Sequence, residues 1–313
     1  MQTIPLLCVV GPTACGKTRL GVELALRHNG EVVSADSQQI YRHMDIGTAK
    51  ATEEEMRGVP HHLLDFLEPD EPFSVAQYVA RAHTCIADIH ARGRLPVLVG
   101  GTGLYVSSLI DNLTFDEEPA DPALREALYA EAREKGNAQL LCRLRTVDPE
   151  TAAGLHENNL GRIVRALEIF EKTGKTMAWH KEQSRRNPSP YRLCMLGLTC
   201  RDRRILYDRI DARVDAMMET GLLDETRRLL AQYGEQKMLA AIGYKELAGY
   251  LQGKTPLCDA VAYLKQQTRR YAKRQLTWFQ KDARITWIYI DEQPGLNAII
   301  EKAEEQIQNE KLL

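Results

Sequence analysis

The sequence predicts an α/β fold, a P-loop parallel-sheet core with a helical insertion domain between its halves. Three observations carry that prediction. Short, almost wholly apolar runs alternate with helical patterns through the first third of the chain, as in parallel sheets covered by helices on both faces. From about Asp116 to Asn187 the pattern is almost all helical. Beyond the linker signal Asn187-Pro-Ser-Pro190, strand and helix patterns return. The expected domains are therefore 1–115 plus 190–313 for the core and 116–189 for the insertion.

The elements follow in order. Ile4–Val10 is an apolar run ending at Gly11-Pro12, and a helical pattern runs from Lys17 to about His28. Glu31–Ala35 is a second strand, ending at Asp36. Ser74–Ala91 has helical spacing in Val75, Tyr78, Val79, Ala82, Ile86 and Ile89. Leu95–Val99 is a third buried-type strand, ending at Gly100-Gly101. In the insertion, Asp121-Pro122 is a helix start, and Leu160, Ile163, Val164, Leu167 and Phe170 mark one helical face, with Gly174 placed as its C-terminal cap. Arg192–Thr199 returns as a strand. Helices follow at Arg203–Thr220, Leu222–Gln232 and Asp259–Gln280, and Arg284–Ile290 is a late strand. No repeat of 20–50 residues and no low-complexity tract is visible.

Composition sets bounds on function. The chain has 313 residues, 44% hydrophobic and 27% charged, which excludes disordered, collagen-like and mini-protein classes. The N-terminal apolar run is too short to span a bilayer and lacks a basic leader, so no membrane association is expected. Seven cysteines without a C-x-x-C pair point to a reduced, cytoplasmic setting with no disulfide framework and no zinc knuckle. His61-His62 lacks metal-ligand spacing to other His or Cys and reads as packing or hydrogen bonding.

The stretch Gly11-Pro12-Thr13-Ala14-Cys15-Gly16-Lys17-Thr18 matches G-x-x-x-x-G-K-[ST] between a strand and a helix, the context that motif requires. Its glycines let backbone N–H groups converge on phosphate oxygens. The helix N-terminus and Lys17 add positive charge, and Thr18 is placed to hold Mg²⁺. The motif is the one associated with nucleotide and ATP binding, but chemically it specifies a polyphosphate and not ATP. An NTPase usually carries another apolar strand ending in Asp. Here Leu95–Val99 ends in Gly-Gly-Thr-Gly, and the strand that ends in a carboxylate is the one before Asp36. That carboxylate suits a metal ligand, a general base or a helix N-cap. Thr102, in Gly100-Gly-Thr-Gly-Leu-Tyr105, falls at the carboxyl end of a strand, where ligands bind in open α/β sheets; a plain glycine-rich turn is the alternative.

Taken together, the stretches Gly11–Thr18, Ser34-ADSQQIYRHMDIGTA-Lys50, Gly58-VPHHLL-Asp65, Leu98-VGGTGL-Tyr105, Arg162-IVRAL-Glu168, Ala241-IGYKE-Leu247 and Lys273-RQLTW-Phe279 resemble the tRNA dimethylallyltransferase (tRNA isopentenyltransferase) family, in family order. Cys15 departs from the Ser usual there, and the length and the lack of a C-terminal zinc finger fit the bacterial form. The resemblance implies transfer of a dimethylallyl group from dimethylallyl diphosphate to N6 of the adenosine 3′ of the anticodon in tRNA, with Mg²⁺. It implies that Asp36 and Thr102 are the catalytic pair, Asp36 as the general base and Thr102 positioning the substrate or a diphosphate oxygen. Residues 11–18 and an arginine after Arg203 would hold the diphosphate. Arg213 is the choice, with Arg209 as the alternative that the sequence leaves open. Contacts to the anticodon stem-loop are expected from Asp36, Ser37, Gln38 and Gln39. They are also expected from Asn158, Asn159, Leu160, Gly161 and Arg162, from Gly243, Tyr244 and Lys245, and from Lys273, Arg274, Gln275 and Trp278. Core packing is the alternative for Trp278, a solvated helix face for Lys273 and Arg274, and a plain turn for Gly243–Lys245. A monomer is expected.

Three competing functions share parts of this pattern: an isopentenyltransferase acting on free adenine nucleotides, a P-loop kinase or NTPase, and a non-catalytic RNA-binding module. The formal net charge of −2 speaks against a generally basic nucleic-acid binder. Its distribution does not. Residues 30–75 hold ten acidic against three basic side chains, residues 172–213 eleven basic against four acidic, and residues 265–284 seven basic against one acidic.

Overall fold

The structure is a computed structural model that describes residues 3–115, 121–184, 187–234 and 241–312. The chain divides into two compact units, Met1–Ile110 with Pro190–Leu313, and Asp111–Ser189.

The first unit is built on six parallel strands in the order β3-β2-β4-β1-β5-β6. They are β1 Ile4–Val10, β2 Gly30–Ser34, β3 His61–His62, β4 Leu95–Gly100, β5 Tyr191–Thr199 and β6 Ile285–Tyr289. The period-two side-chain alternation of the central strands buries both faces. Leu7 and Val9 of β1 pack with the helices Lys17–Arg27 and Leu296–Asn309 through Leu20, Leu24, Ile300, Ala303 and Ile307. The helix Val75–Ala91 packs against β2 and β4, and its Tyr78 donates a hydrogen bond to the Ser34 carbonyl at 3.0 Å. Ser74 and Gln77 form a capping box that fixes where this helix begins.

Sheet register positions the site. Val10 of β1 pairs with Gly100 of β4 and Gly197 of β5, and Ser34 of β2 pairs with Val99. The carboxyl ends of four strands are thereby level, so the turns at Gly11, Asp36 and Gly101 share one rim with the end of β5. Beneath that rim, β2 is anchored by Glu31, which is 2% exposed and accepts hydrogen bonds from Arg92 and His62, with Arg94 at 3.2 Å. The Arg92 guanidinium, with His62 beside it, holds the Glu31 carboxyl down to about 2. His62 is thus structural, and His61 bonds the Val59 carbonyl at 2.8 Å.

The remainder of this unit is a helical layer: Arg203–Glu219, Leu222–Tyr233, Tyr244–Leu251 and Leu257–Phe279 share an apolar cluster with Met44. Several elements lie outside the sequence expectation, among them the strand β3 and the helices Glu53–Met56 and Gly103–Ile110. Gly243 to Lys245 is a helix start and not a plain turn: Gly243 has φ of +110° and Glu246 accepts its N–H at 2.9 Å. Leu296–Asn309 is a helix beyond the last expected strand.

The second unit is helical, as its sequence pattern predicts. Asp121 caps Pro122–Lys135, accepting the Leu124 N–H at 3.0 Å, and Gly174 closes Leu160–Thr173 in the left-handed region. Leu128, Leu140, Leu144, Ile163, Val164 and Leu167 form its core. Glu168, fully buried, is satisfied by Arg125, Arg165 and the Asp121 N–H.

Candidate active site

Phosphate-loop geometry follows from its sequence. Gly11 has φ of +138°, and a Cβ there would lie 2.2 Å from the Leu198 carbonyl oxygen, so only glycine fits. Pro12 and Cys15 are buried, and the Cys15 thiol donates to the Pro12 carbonyl at 2.9 Å. Ala14 is left-handed with φ of +64°, and Gly16, with φ of +90°, opens the helix Lys17–Arg27. Lys17 Nζ donates to the Pro12 carbonyl at 2.6 Å, which curls the ammonium back over the loop.

A cavity of about 350 Å³ opens beside this loop. Thr13, Lys17 and Thr18 line it, as do Asp36, Ser37, Gln38 and Gln39, Gly100 and Gly101, Arg213, Gly243 and Lys245, and Arg274 and Gln275. Residues more than 260 positions apart in the chain therefore meet in one place. Asp36 is held by its own turn, with Oδ1 accepting the N–H of Gln38 at 2.8 Å and of Gln39 at 3.3 Å. That turn leaves Oδ2 with no hydrogen bond among the described residues. The Thr102 hydroxyl accepts the Ser37 N–H at 3.0 Å, tying the end of β4 to the Asp36 turn.

The two arginines differ. Arg209 is exposed, and its Nε donates to the Ala14 carbonyl at 2.9 Å. Arg213 lines the cavity with Nη1 3.5 Å from the Thr13 hydroxyl, and burial lowers its pKa from the ordinary value. A half-buried guanidinium facing a phosphate loop without a carboxylate partner among the described residues is built for an anion. The geometry favours Arg213.

Several expected contacts are placed otherwise. Tyr244 is 0% exposed and its hydroxyl donates to Glu225 at 2.8 Å, so its ring is core and has no face for nucleic acid. Glu225 also accepts the N–H groups of Asp45, Ile46 and Gly47, which makes this pair the support of the 45–47 turn. The Gln39 amide closes its own loop on the carbonyls of Thr48 and Ala49, at 3.1 and 3.2 Å. Gln275 is buried and accepts the Thr13 N–H at 2.9 Å. One loop N–H expected on phosphate is therefore occupied within the protein. Trp278 is 43% exposed and lies outside the cavity lining, against Gly103. Lys273 is exposed. Asn158, Asn159, Gly161 and Arg162 are exposed at the start of Leu160–Thr173 in the second unit, where Leu160 packs on that unit's core.

The sequence reading missed Leu264, Thr268 and Tyr271, which line the cavity with Gln275. Their spacing of four, three and four puts them on one face of Leu257–Phe279, a signal hidden by the basic residues interleaved on the other faces. Tyr271 lies within hydrogen-bonding reach of Thr102 and Gln275, and burial raises its pKa.

Among the described residues no cluster of three or more His, Cys, Asp or Glu could hold a metal, and no helix is long and apolar enough to cross a membrane. All seven cysteines are unpaired.

A parallel α/β sheet with a phosphate loop, a half-buried arginine and a carboxylate at one cavity defines the class: a protein built to handle a phosphorylated substrate. The particular family comes from comparison with known proteins. The IPP transferase family model matches residues 39–282, and an isopentenyl transferase model matches residues 4–69. The tRNA dimethylallyltransferase of Bacillus subtilis is 48% identical over 301 residues, 96% of this chain and 95% of its own. That of Acetivibrio thermocellus is 48% identical over 288 residues, 91% of this chain and 92% of its own. The crystal structure of the full-length tRNA isopentenylpyrophosphate transferase from Bacillus halodurans superposes with a TM-score of 0.72 at 45% identity, covering 99% of this chain and 98% of that one. A eukaryotic dimethylallyltransferase acting on tRNA superposes with a TM-score of 0.81 at 28% identity, covering 98% and 80%. The chain belongs to the tRNA dimethylallyltransferase family.

Proposed function

We propose that this protein transfers the dimethylallyl group of dimethylallyl diphosphate to N6 of the adenosine 3′-adjacent to the anticodon in tRNA, releasing diphosphate. The observation that carries this reading is one cavity in which an anion site, formed by the phosphate loop with Lys17 and Arg213, meets a carboxylate, Asp36, that keeps one oxygen unengaged among the described residues.

The N6 lone pair attacks the allylic C1, the C1–O bond breaks, and its electron pair goes to the diphosphate oxygen. Negative charge grows on that oxygen as the bond breaks, so preorganised cations at Lys17 and Arg213 stabilise the transition state more than the ground state. The N6 proton passes to Asp36 Oδ2 and from there to solvent. Thr102 holds the turn that carries Asp36 through its bond to Ser37. Thr18 lines the cavity beside Lys17 and offers a hydroxyl oxygen that would hold Mg²⁺, with water and diphosphate as its other ligands. Bound there, Mg²⁺ would neutralise charge on the leaving diphosphate. An anticodon loop is single-stranded, so its adenosine can be extruded into a cavity at modest unstacking cost. Exposed Lys273 and Trp278 are suited to the loop's phosphates and bases. We place the enzyme in the cytoplasm, acting as a monomer.

The test compares acceptors. With dimethylallyl diphosphate, tRNA should be prenylated while AMP and ADP are not. Equal turnover of AMP would move the assignment to nucleotide prenylation.

A further inference from the structure

Gln275 is one of the few buried polar side chains among the described residues, and it is distant in sequence from the two rim turns that it touches. Its Oε1 accepts the Thr13 N–H at 2.9 Å, and its Nε2 donates to the Gly101 carbonyl at 2.9 Å. The phosphate loop after β1 and the glycine turn after β4 are thereby bolted to one amide on the helix Leu257–Phe279. Gly101 is glycine for this reason: a Cβ there would lie 2.3 Å from Gln275 Nε2. Each turn continues into a group placed at the chemistry. Thr13 presents its hydroxyl to Arg213, and Gly101 precedes Thr102, which bonds the Asp36 turn. Tyr271, one helical turn before Gln275, lies within reach of both Thr102 and Gln275.

We propose that Gln275 is a positioning residue: its amide clasps the phosphate loop to the 100–102 turn and so sets the separation between the leaving-group site and the acceptor base. The kinetic side of this inference rests on the reaction proposed above, and the structural side does not. Displacement at carbon needs nucleophile and leaving group in line, and misplacement by about 1 Å costs about 10²-fold in rate. An amide is the side chain required, since one end must accept from an N–H while the other donates to a carbonyl. Glutamate would keep the first bond and set two acceptors against each other at the second.

The experiment uses the full-length protein as wild type, Gln275→Leu, Gln275→Glu, Gly101→Ala and the double variant Gly101→Ala/Gln275→Leu. Amide hydrogen exchange is followed in the segments around Thr13 and Gly101, without any substrate. Both segments should lose protection together in Gln275→Leu and in Gly101→Ala, while β5 stays protected. In transfer assays each of these single variants should lose about 10²-fold in kcat with KM for dimethylallyl diphosphate nearly unchanged. Gln275→Glu should fall between them and wild type. The double variant should be no worse than either single one, because both substitutions break the same clasp. Unchanged protection in either segment, losses that multiply in the double variant, or a rise in KM at constant kcat would overturn the clasp. If Gln275→Leu does not fold, Gly101→Ala carries the test alone. A wild type that transfers nothing sinks the proposed reaction, and the exchange data still decide the clasp.

Discussion

The two walls of the cavity are made of different material. The phosphate wall is backbone and fixed cations: Gly11 and Gly16 at positive φ, Ala14 beside them, Lys17 curled over the loop, and Arg213 half-buried beside Thr13. The acceptor wall rests on side chains bonded to backbone: Asp36 to its own turn, Thr102 to the Ser37 N–H and Gln275 to the Gly101 carbonyl, contributed by two strand ends and a distant helix. A wall of backbone tolerates exchange of most side chains but not of its glycines. A wall of side chains depends on each hydrogen bond and on the strands that deliver it.

The largest expected effect lies on the acceptor wall. Asp36→Ala should lower turnover by about 10²–10⁴-fold, the range for loss of a general base, with inorganic diphosphate binding retained. Unchanged turnover would remove Asp36 from the chemistry. On the phosphate wall, Lys17→Ala and Arg213→Ala should each cost about 10²–10³-fold and also weaken inorganic diphosphate binding. Arg209→Ala should cost much less, because Arg209 is exposed and reaches only the Ala14 carbonyl. If Arg209→Ala proved the more damaging, the anion site would have to be redrawn.

A pH experiment separates the walls by stability. The Glu31 carboxyl anchors β2, the strand that leads to Asp36, and its pKa is held at about 2 against an ordinary 4.5. A depressed carboxyl stabilises the fold above pH 4.5, and that contribution is lost as pH falls toward 2. Glu31→Gln should therefore lower the thermal midpoint at neutral pH, with the deficit shrinking as the wild type is acidified through this window. A deficit independent of pH would show that the carboxylate charge does not anchor β2.

The smallest effect concerns charge. Of the basic residues in 265–284, Lys265 pairs with Asp215, Arg269 with Asp211 and Arg284 with Asp282, so the segment's excess overstates what it can offer to RNA. Exposed Lys273 has no carboxylate partner among the described residues. Lys273→Ala should weaken tRNA binding and reduce the slope of log affinity against log salt by about 1. An unchanged slope would take Lys273 off the RNA path.

How far the site can be read from sequence follows the same division. The phosphate wall is legible because its backbone demands glycine at set positions between a strand and a helix. Strands β1, β2, β4 and β5 are legible as apolar runs, and the caps at Asp121 and Gly174 announce their helices. The two-residue strand β3 is not, since it exists only by pairing with β2. The reading stops at Ile290, although Ile300, Ala303 and Ile307 recur at helical spacing and bury against β1's face of the sheet. Tyr244 and Gln275 sit in family motifs, which suggested contact with RNA, yet burial gives both to the fold's interior. Whether a polar side chain faces a ligand or a neighbouring loop depends on tertiary placement, which local patterns do not encode.

The central claim is tested most directly by nucleoside mass spectrometry of tRNA incubated with the enzyme, dimethylallyl diphosphate and Mg²⁺. The expected result is N6-isopentenyladenosine at the anticodon-adjacent adenosine, formed by the wild type and absent with Asp36→Ala. A tRNA pool with no prenylated adenosine after incubation with the folded wild-type protein would contradict it.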